Sequence, residues 1–378
     1  MMIKGLPNNK LGLKNASMAL AMAGMTAIAG NAAAPTFSGS IEAGWNSNLA
    51  KPDSNKSNLF HSYDAQANTF ALNNAHLAMT GADSATGLGY GVETDFGTDA
   101  AVNAAGGGAP SGKYAIDLQE AYINWGFGAA RMWGLKAGKY ATYEGIEVVE
   151  GGSNPTISRG FLFGLAEPVT HTGLEINMAS GPLDLHLGVL NGWDQVMDVN
   201  GLPSYLAKVG YNMGNPLAIS LSAIIGPEQN ANTDDMRMSF DLTAVTKAIP
   251  MVDLWLQANY GMEAKAGLGG KDASWLGLGV QPLIHFNDWF GLGLRYEYFM
   301  DDQLSRTASS LAVGQLPAGT KDLTLQNITV APTIWLTKTA MVRAEFRVDM
   351  ASEDVYQDAD NKATGTQMGS ALDLVLGF

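Results

Sequence analysis

Ala340-Met341-Val342-Arg343-Ala344-Glu345-Phe346-Arg347-Val348-Asp349-Met350 alternates without a break. Ala340, Val342, Ala344, Phe346, Val348 and Met350 share one parity, while Arg343, Glu345, Arg347 and Asp349 share the other. Successive side chains on a strand point to opposite faces, so this ribbon has one oily face and one charged face. The same period returns upstream. Leu254, Leu256, Ala258, Tyr260 and Met262 oppose Asp253, Gln257, Asn259 and Glu263. Met236, Met238, Phe240 and Leu242 oppose Arg237, Ser239 and Asp241, and Thr172, Leu174, Ile176 and Met178 oppose His171, Gly173, Glu175 and Asn177.

Extended along the chain, this alternation predicts sixteen strands: 36–48, 70–82, 86–97, 116–127, 132–143, 168–179, 183–193, 204–213, 217–226, 235–246, 251–263, 273–285, 288–299, 322–335, 340–351 and 367–378. Short turns such as Ser180-Gly181-Pro182, Gly214-Asn215-Pro216, Phe286-Asn287 and Thr337-Lys338-Thr339 join some of them. They alternate with longer loops at 49–69, 98–115, 144–167, 194–203, 227–234, 264–272, 300–321 and 352–366. Short turns on one side and long loops on the other mark an outer-membrane barrel, with turns in the periplasm and loops outside. Residues 98–112 and 264–272, rich in Gly and Ala, read as loop tips.

Composition narrows the classes. The chain has 378 residues, with 36 acidic against 22 basic side chains and a formal charge of -14. Such a chain repels a phosphate backbone, so no nucleic-acid partner is expected. The absence of Cys removes disulfides, zinc–thiolate sites and thiol nucleophiles. At the N-terminus, Lys4, Lys10 and Lys14 precede an uncharged run from Ala16 to Ala29 and the small residues Gly30-Asn31-Ala32. Residues 1–32 therefore read as a cleaved signal peptide, and 33–378 as a single exported barrel domain. No later stretch offers about 18 consecutive apolar residues, so helices do not span a membrane here.

A soluble sandwich of sixteen strands would need two domains and a linker, and no linker is visible. In a bilayer each strand buries its oily face in lipid, and the sheet must close so that every backbone group is paired. The expected fold is all-β: a transmembrane antiparallel up-and-down β-barrel of about sixteen strands. Trp125, Phe127, Trp133, Tyr211, Tyr296 and Tyr298 are expected near strand ends, at the lipid–water boundary. Phe378, preceded by Leu376, Leu374 and Leu372 at a spacing of two, reads as a signal for the barrel-assembly machinery.

The most distinctive stretch runs from Gln119 to Leu174. It contains Gln119-Glu120-Ala121-Tyr122, Lys136-Ala137-Gly138-Lys139-Tyr140-Ala141-Thr142, Gly145-Ile146-Glu147, Ser158-Arg159-Gly160-Phe161-Leu162-Phe163 and Glu167-Pro168-Val169-Thr170-His171-Thr172-Gly173-Leu174. This resembles the OmpL-like putative β-barrel porin family, with its Gly-Lys-(Phe/Tyr)-x-Thr strand end, Gly-x-Glu loop, Ser-Arg segment and Pro-x-x-His-Thr-Gly strand start. The resemblance implies a pore-forming protein of the outer membrane and fixes no solute.

Residues 144–167 form a loop too long to lack a purpose. It is expected to fold into the barrel, seat Phe161 and Phe163 on the wall, and constrict the lumen with Glu144, Glu147, Glu150, Arg159 and Glu167. The alternative is a loop that stays outside. Lumen-lining charges are expected at Glu120, Lys136, Glu175, Arg237, Asp241, Arg295, Glu297, Arg343, Glu345, Arg347 and Asp349, with Arg131 close to that parity. Rings of charge select ions, and the excess of acids points to a mild cation preference.

No catalytic set emerges. The five histidines show neither a spacing of two along a strand nor a His-Glu-x-x-His helix for zinc. His171 and His186 both lie on the lumen parity of consecutive predicted strands but read as wall residues, and nothing orients a base beside Ser158. Asp301-Asp302 and Asp358-Ala359-Asp360 read as solvated acid clusters. No metal and no cofactor are expected. The function expected is passive diffusion of ions and small hydrophilic solutes across the outer membrane of a Gram-negative cell. The alternative is a structural or adhesive barrel with a filled lumen that acts through its outer loops. The partners are outer-membrane lipids, the assembly machinery and the solutes; a homotrimer follows only by analogy with sixteen-strand porins.

Overall fold

The computed structural model describes residues 34–50, 58–64, 67–103, 115–214, 216–311, 316 and 319–378. The signal-peptide reading lies outside these residues. The wall strands are Thr36–Asn48 (β1), Thr69–Ala82 (β2), Leu88–Gly97 (β3), Ala115–Phe127 (β4), Trp133–Ala141 (β5), Thr170–Ser180 (β6), Leu183–Leu190 (β7) and Ser204–Asn212 (β8). They continue as Leu217–Pro227 (β9), Met236–Thr246 (β10), Val252–Glu263 (β11), Ala273–His285 (β12), Phe290–Asp302 (β13), Asp322–Trp335 (β14) and Ala340–Ala351 (β15). A small hairpin, Tyr356–Gln357 (β16) and Ala363–Thr364 (β17), precedes the last wall strand, Thr366–Gly377 (β18). Each wall strand pairs antiparallel with its neighbour, and β18 returns to β1, closing a sixteen-stranded barrel.

Period two decides which face meets which solvent. In β7, Leu183, Leu185, Leu187 and Val189 are exposed while Asp184, His186 and Leu190 are buried. The pattern inverts that of a soluble protein: Phe70 is 78% exposed and Ile123 63%, whereas Arg295, Arg343 and Arg347 are each 1% exposed. Charges are found inside only when paired, and large apolar groups outside require an apolar surrounding. That surrounding is lipid, and the closed sheet leaves no unpaired edge within it.

Turn chemistry sets the hairpins. Ser180 pairs with Leu183 across Gly181-Pro182, and Gly181 takes φ 58. Two-residue hairpins favour a positive φ at that first position because the turn's twist then matches the strands. At the seam, the Phe378 amide donates to the Gly39 carbonyl at 2.9 Å and the Gly39 amide to the Phe378 carbonyl at 3.1 Å.

Several expectations shift. Tyr296 and Tyr298 lie at mid-strand, paired with Val280 and Leu278, and not at a strand end. Trp125, Phe127 and Trp133 do cluster at the β4–β5 turn, where the Trp125 indole donates to the Thr86 carbonyl at 3.2 Å. Residues 98–103, expected in a loop tip, form a short helix, α1 (Thr98–Asn103), with Asp99 and Ala100 fully buried. Arg131 sits in the β4–β5 turn and bonds the Ser84 carbonyl, away from the lumen. The segment between β5 and β6 spans Thr142 to Val169, longer than the alternation implied at both ends.

Candidate functional site

The Thr142–Val169 segment lies inside the barrel, and the inward parity of the strands explains why it stays. Inward carboxylates act as acceptors for its backbone. Glu345 on β15 accepts from the Ile157 amide at 2.7 Å and the Ser158 amide at 3.0 Å. Glu297 on β13 accepts from Phe161 at 2.6 Å and Leu162 at 3.3 Å, and Asp241 on β10 from Gly145 at 2.9 Å. Inward arginines supply the complementary donors. Arg295 reaches Glu147 at 3.1 Å and Thr156 Oγ1 at 2.8 Å. Arg343 donates to the carbonyls of Gly151, Asn154 and Thr156 at 2.9, 3.1 and 3.2 Å. Arg343 also holds Asp373 of β18, with Nε at 3.1 Å from both oxygens, and lies 3.9 Å from Glu42 of β1. Charge-assisted bonds of this kind are about twice as strong as neutral ones.

Two glycines permit the close approach. A methyl on Gly293 of β13 would overlap the Pro155 carbonyl, and one on Gly160 would overlap the Glu297 carboxylate. Apolar packing completes the seat. Phe161, Leu162 and Leu165 join Trp275, Phe299, Leu323 and Leu325 in one buried cluster. Phe163 packs on Tyr63 and Val149, loop on loop, and not on the wall. Arg347 ties in the first loop through Asp64 at 2.7 Å, and His61 lies 3.1 Å from Asp349.

The segment thus packs chiefly on β10 to β15, and on the opposite side it reaches the wall at Tyr143, bonded to Glu175, and at Glu150, bonded to Gln119. A cavity of about 140 Å³ lies there, enough for several water molecules. Glu93, Glu120, Tyr122, Lys136 and Tyr140 line it from β3 to β5; His186, Lys208 and Thr243 line it further round; Tyr143 to Gly145 and Glu147 to Glu150 close it from the loop. Of the residues read from sequence, Glu144, Glu147, Glu150, Glu120 and Lys136 meet at this cavity. Arg159 instead bonds the Val148 carbonyl at 3.2 Å and Asp99 at 3.3 Å, and Glu167 accepts from Gln257 at 2.5 Å. Asp241, Arg295, Glu297, Arg343, Glu345, Arg347 and Asp349 lie beneath the loops as anchors. Arg237 lies to one side, paired with Glu263 at 2.7 Å. Ser158 and His171 do not meet: Ser158 Oγ bonds Glu345, and His171 Nε2 lies 3.0 Å from Thr142 Oγ1.

The cavity has two electrical sides. On one, Lys136 Nζ lies 4.9 Å from the ring centres of both Tyr122 and Tyr140, and Lys208 lies 2.7 Å from Asp184. Glu175 carries three partners there: Tyr143 Oη at 2.9 Å, Asn177 Nδ2 at 3.0 Å and His186 Nδ1 at 3.1 Å. On the other side, Glu93 stands directly opposite Glu120, and Glu150 accepts from Gln119 at 3.0 Å. Burial and the neighbouring Asp241 carboxylate push Glu144 well above the usual carboxylate range. At the far end of the loop, Asp194 accepts from the Val169 and Thr170 amides at 2.7 and 2.9 Å, and burial raises it to about 6.

The sequence places His186 on the lumen wall, as found, but does not single out Tyr122, Tyr140, Glu93 or Lys208 for the site. Glu93-x-Asp95 on one parity was the available signal; inward tyrosines carry none, because an aromatic ring suits either face.

Three solved structures frame this geometry. The outer membrane channel DcaP of Acinetobacter baumannii is 12% identical, with 93% of this chain and 100% of that one covered, at a TM-score of 0.61. An anion-selective porin from Comamonas acidovorans is 10% identical, with 91% and 99% covered, at 0.60. The trimer form of OmpT from Vibrio cholerae is 11% identical, with 92% and 100% covered, at 0.58. At such identities the likeness is one of fold. No curated protein matches the sequence. The family model described as putative beta-barrel porin-2, OmpL-like, matches residues 35–378, the whole barrel, and the chain belongs to that family of outer-membrane porins.

Proposed function

We propose that the chain is a passive pore in the outer membrane of a Gram-negative cell. Ions and small hydrophilic solutes pass along the open wall of β3 to β9, and the Thr142–Val169 loop sets the aperture. The supporting observation is the asymmetry of the lumen: the body of the loop is bonded to β10–β15, while ionisable side chains of β3 to β9 face a cavity that only the loop's edge, Tyr143 and Glu150 among it, reaches. Carboxylates outnumber Lys136 and Lys208 there, which favours cations, opposite to the anion selectivity in the name of the Comamonas porin. The exposed Phe378 would be read by the assembly machinery, and a homotrimer is the assembly suggested by the OmpT trimer form.

Deleting residues 150–163 tests the aperture in planar bilayers: single-channel conductance rises if the loop narrows the path, and an unchanged value removes that role. The close packing beneath the loop, with Asp241 and Asp349 fully buried, favours a second reading, a filled barrel that acts through its outer loops. Liposome swelling separates the two, because sugars enter only through an open lumen.

A further inference from the structure

We propose that His76, Glu93 and Glu150 form a binding site for a divalent transition-metal cation of the zinc class, on the acidic side of the lumen. His76 is on β2, Glu93 on β3 and Glu150 on the inner loop, so three distant segments supply the donors. One ligand atom from each lies within 4.8 Å of the others; His76 Nε2 stands 3.8 Å from Glu93 Oε2, while Glu150 Oε1 stands 3.7 Å from His76 Nδ1 and must swing to the Nε2 side to share a metal. Around a tetrahedral zinc with bonds of about 2.0–2.2 Å, neighbouring donors sit about 3.4 Å apart. Small side-chain movements close that difference.

The surroundings support a ligand beyond the carboxylates themselves. Asp95, fully buried, holds His76 Nδ1 at 2.9 Å, and Asn74 donates to the same Asp95 oxygen at 3.0 Å. A carboxylate on one ring nitrogen fixes the imidazole and leaves the other nitrogen for a metal, the usual outer-shell support of a histidine ligand. Gln119 is 3% exposed, lines the same cavity as Glu93 and Glu150, and donates to Glu150 at 3.0 Å. Its Oε1 has no hydrogen-bond partner and offers a neutral oxygen at the site. Charge balance points the same way. Glu93 faces Glu120 directly across the strand pair, an arrangement that destabilises a sheet unless a cation intervenes. Among the described residues, the His76 ring is the only basic group within ion-pair distance of Glu93 or Glu150, and no Lys or Arg neutralises them there.

Imidazole with carboxylates suits zinc and its neighbours better than calcium or magnesium, which take oxygen donors alone. Sequence reading missed the site because its donors share no local spacing.

The test is calorimetric titration of ZnCl₂ into the untagged, EDTA-stripped full chain in detergent, a measurement that needs no open pore. One zinc per chain is expected, with little heat from MgCl₂. His76→Ala and Glu150→Gln should each abolish the saturable binding, Asp95→Asn should weaken it about 10–100-fold, and His285→Ala should leave it intact. Glu93→Gln, nearly the same shape, guards against loss of folding, which heat-dependent gel mobility monitors in every variant. Absence of saturable zinc binding, or parental affinity in His76→Ala, overturns the proposal; so does equal loss in His285→Ala.

Discussion

Gly293→Ala adds one methyl group to the inner face of β13 and nothing to the lipid face. The Gly293 backbone is not left-handed, so alanine fits the strand without strain. The new methyl would overlap the Pro155 carbonyl, and an ordinary contact is restored only if the loop retreats by about 1 Å or more. The carbonyls on either side, of Asn154 and Thr156, accept from Arg343 at 3.1 and 3.2 Å, and Thr156 Oγ1 accepts from Arg295 at 2.8 Å. That retreat carries these three contacts to about 4 Å, beyond hydrogen-bonding range. At about 1.5–2 kcal/mol each for bonds to a charged group, docking weakens by about 5 kcal/mol. The undocked population then grows about a thousandfold or more. Limited proteolysis of the purified barrel reads this quantity directly, because cleavage follows the open population when reclosure is fast. Gly188→Ala on β7 is the control, since its methyl meets Leu206 at an ordinary 3.4 Å. Single-channel conductance should fall in Gly293→Ala, because the loop is pushed toward Lys136 and Lys208. A loop cleaved at the parental rate, in a barrel that remains folded, would refute the claim that it rests on β13.

Three further outcomes follow from the same contacts. Arg343→Met leaves Asp373 and Glu42 as buried, unpaired carboxylates and should cost about 3–5 kcal/mol in urea unfolding; parental stability would contradict this. Asp194, raised to about 6 by burial from 3.8, binds its proton more tightly in the folded state. Its contribution to stability is therefore absent above pH 6, grows as pH falls through 6, and is complete below 3.8. Asp194→Asn keeps an acceptor for the Val169 and Thr170 amides and should remove this slope, about 2–3 kcal/mol between pH 7 and 4; identical pH profiles would exclude it. Lys136→Gln and Lys208→Gln should shift the reversal potential in a salt gradient toward greater cation preference, and an unshifted potential would place neither lysine in the ion path.

The wall was legible because its code is local. Ala340 to Ala351 and Ala273 to His285 occupy the strand limits that parity alone predicts, since a period of two needs only neighbouring residues. Parity also turns Arg295, Glu297 and Arg343 inward. It does not say what they meet. Arg343 faces Gly151 across 192 positions of sequence and Glu345 faces Ser158 across 187, and no local pattern encodes such separations. Tyr296 was misplaced for a related reason: its ring suits a lipid boundary or mid-bilayer packing equally, and its register against Val280 decides. The loop is longer than the alternation implies at its start because Tyr143 continues the apolar period of β5 after the backbone has left the ladder. Glu150 and His76 acquire meaning only once the loop is seated beside β2.

Arg343 has a consequence for biogenesis. One guanidinium touches the last strand, approaches the first, and grips three carbonyls of the inner loop. Its full set of contacts therefore exists only once β1 and β18 have met. A half-inserted ribbon, with β1 and β18 still apart, already offers the loop its anchors on β10 to β15 but leaves the Arg343 corner short of Asp373 and Glu42, so circumferential closure is what completes the seat.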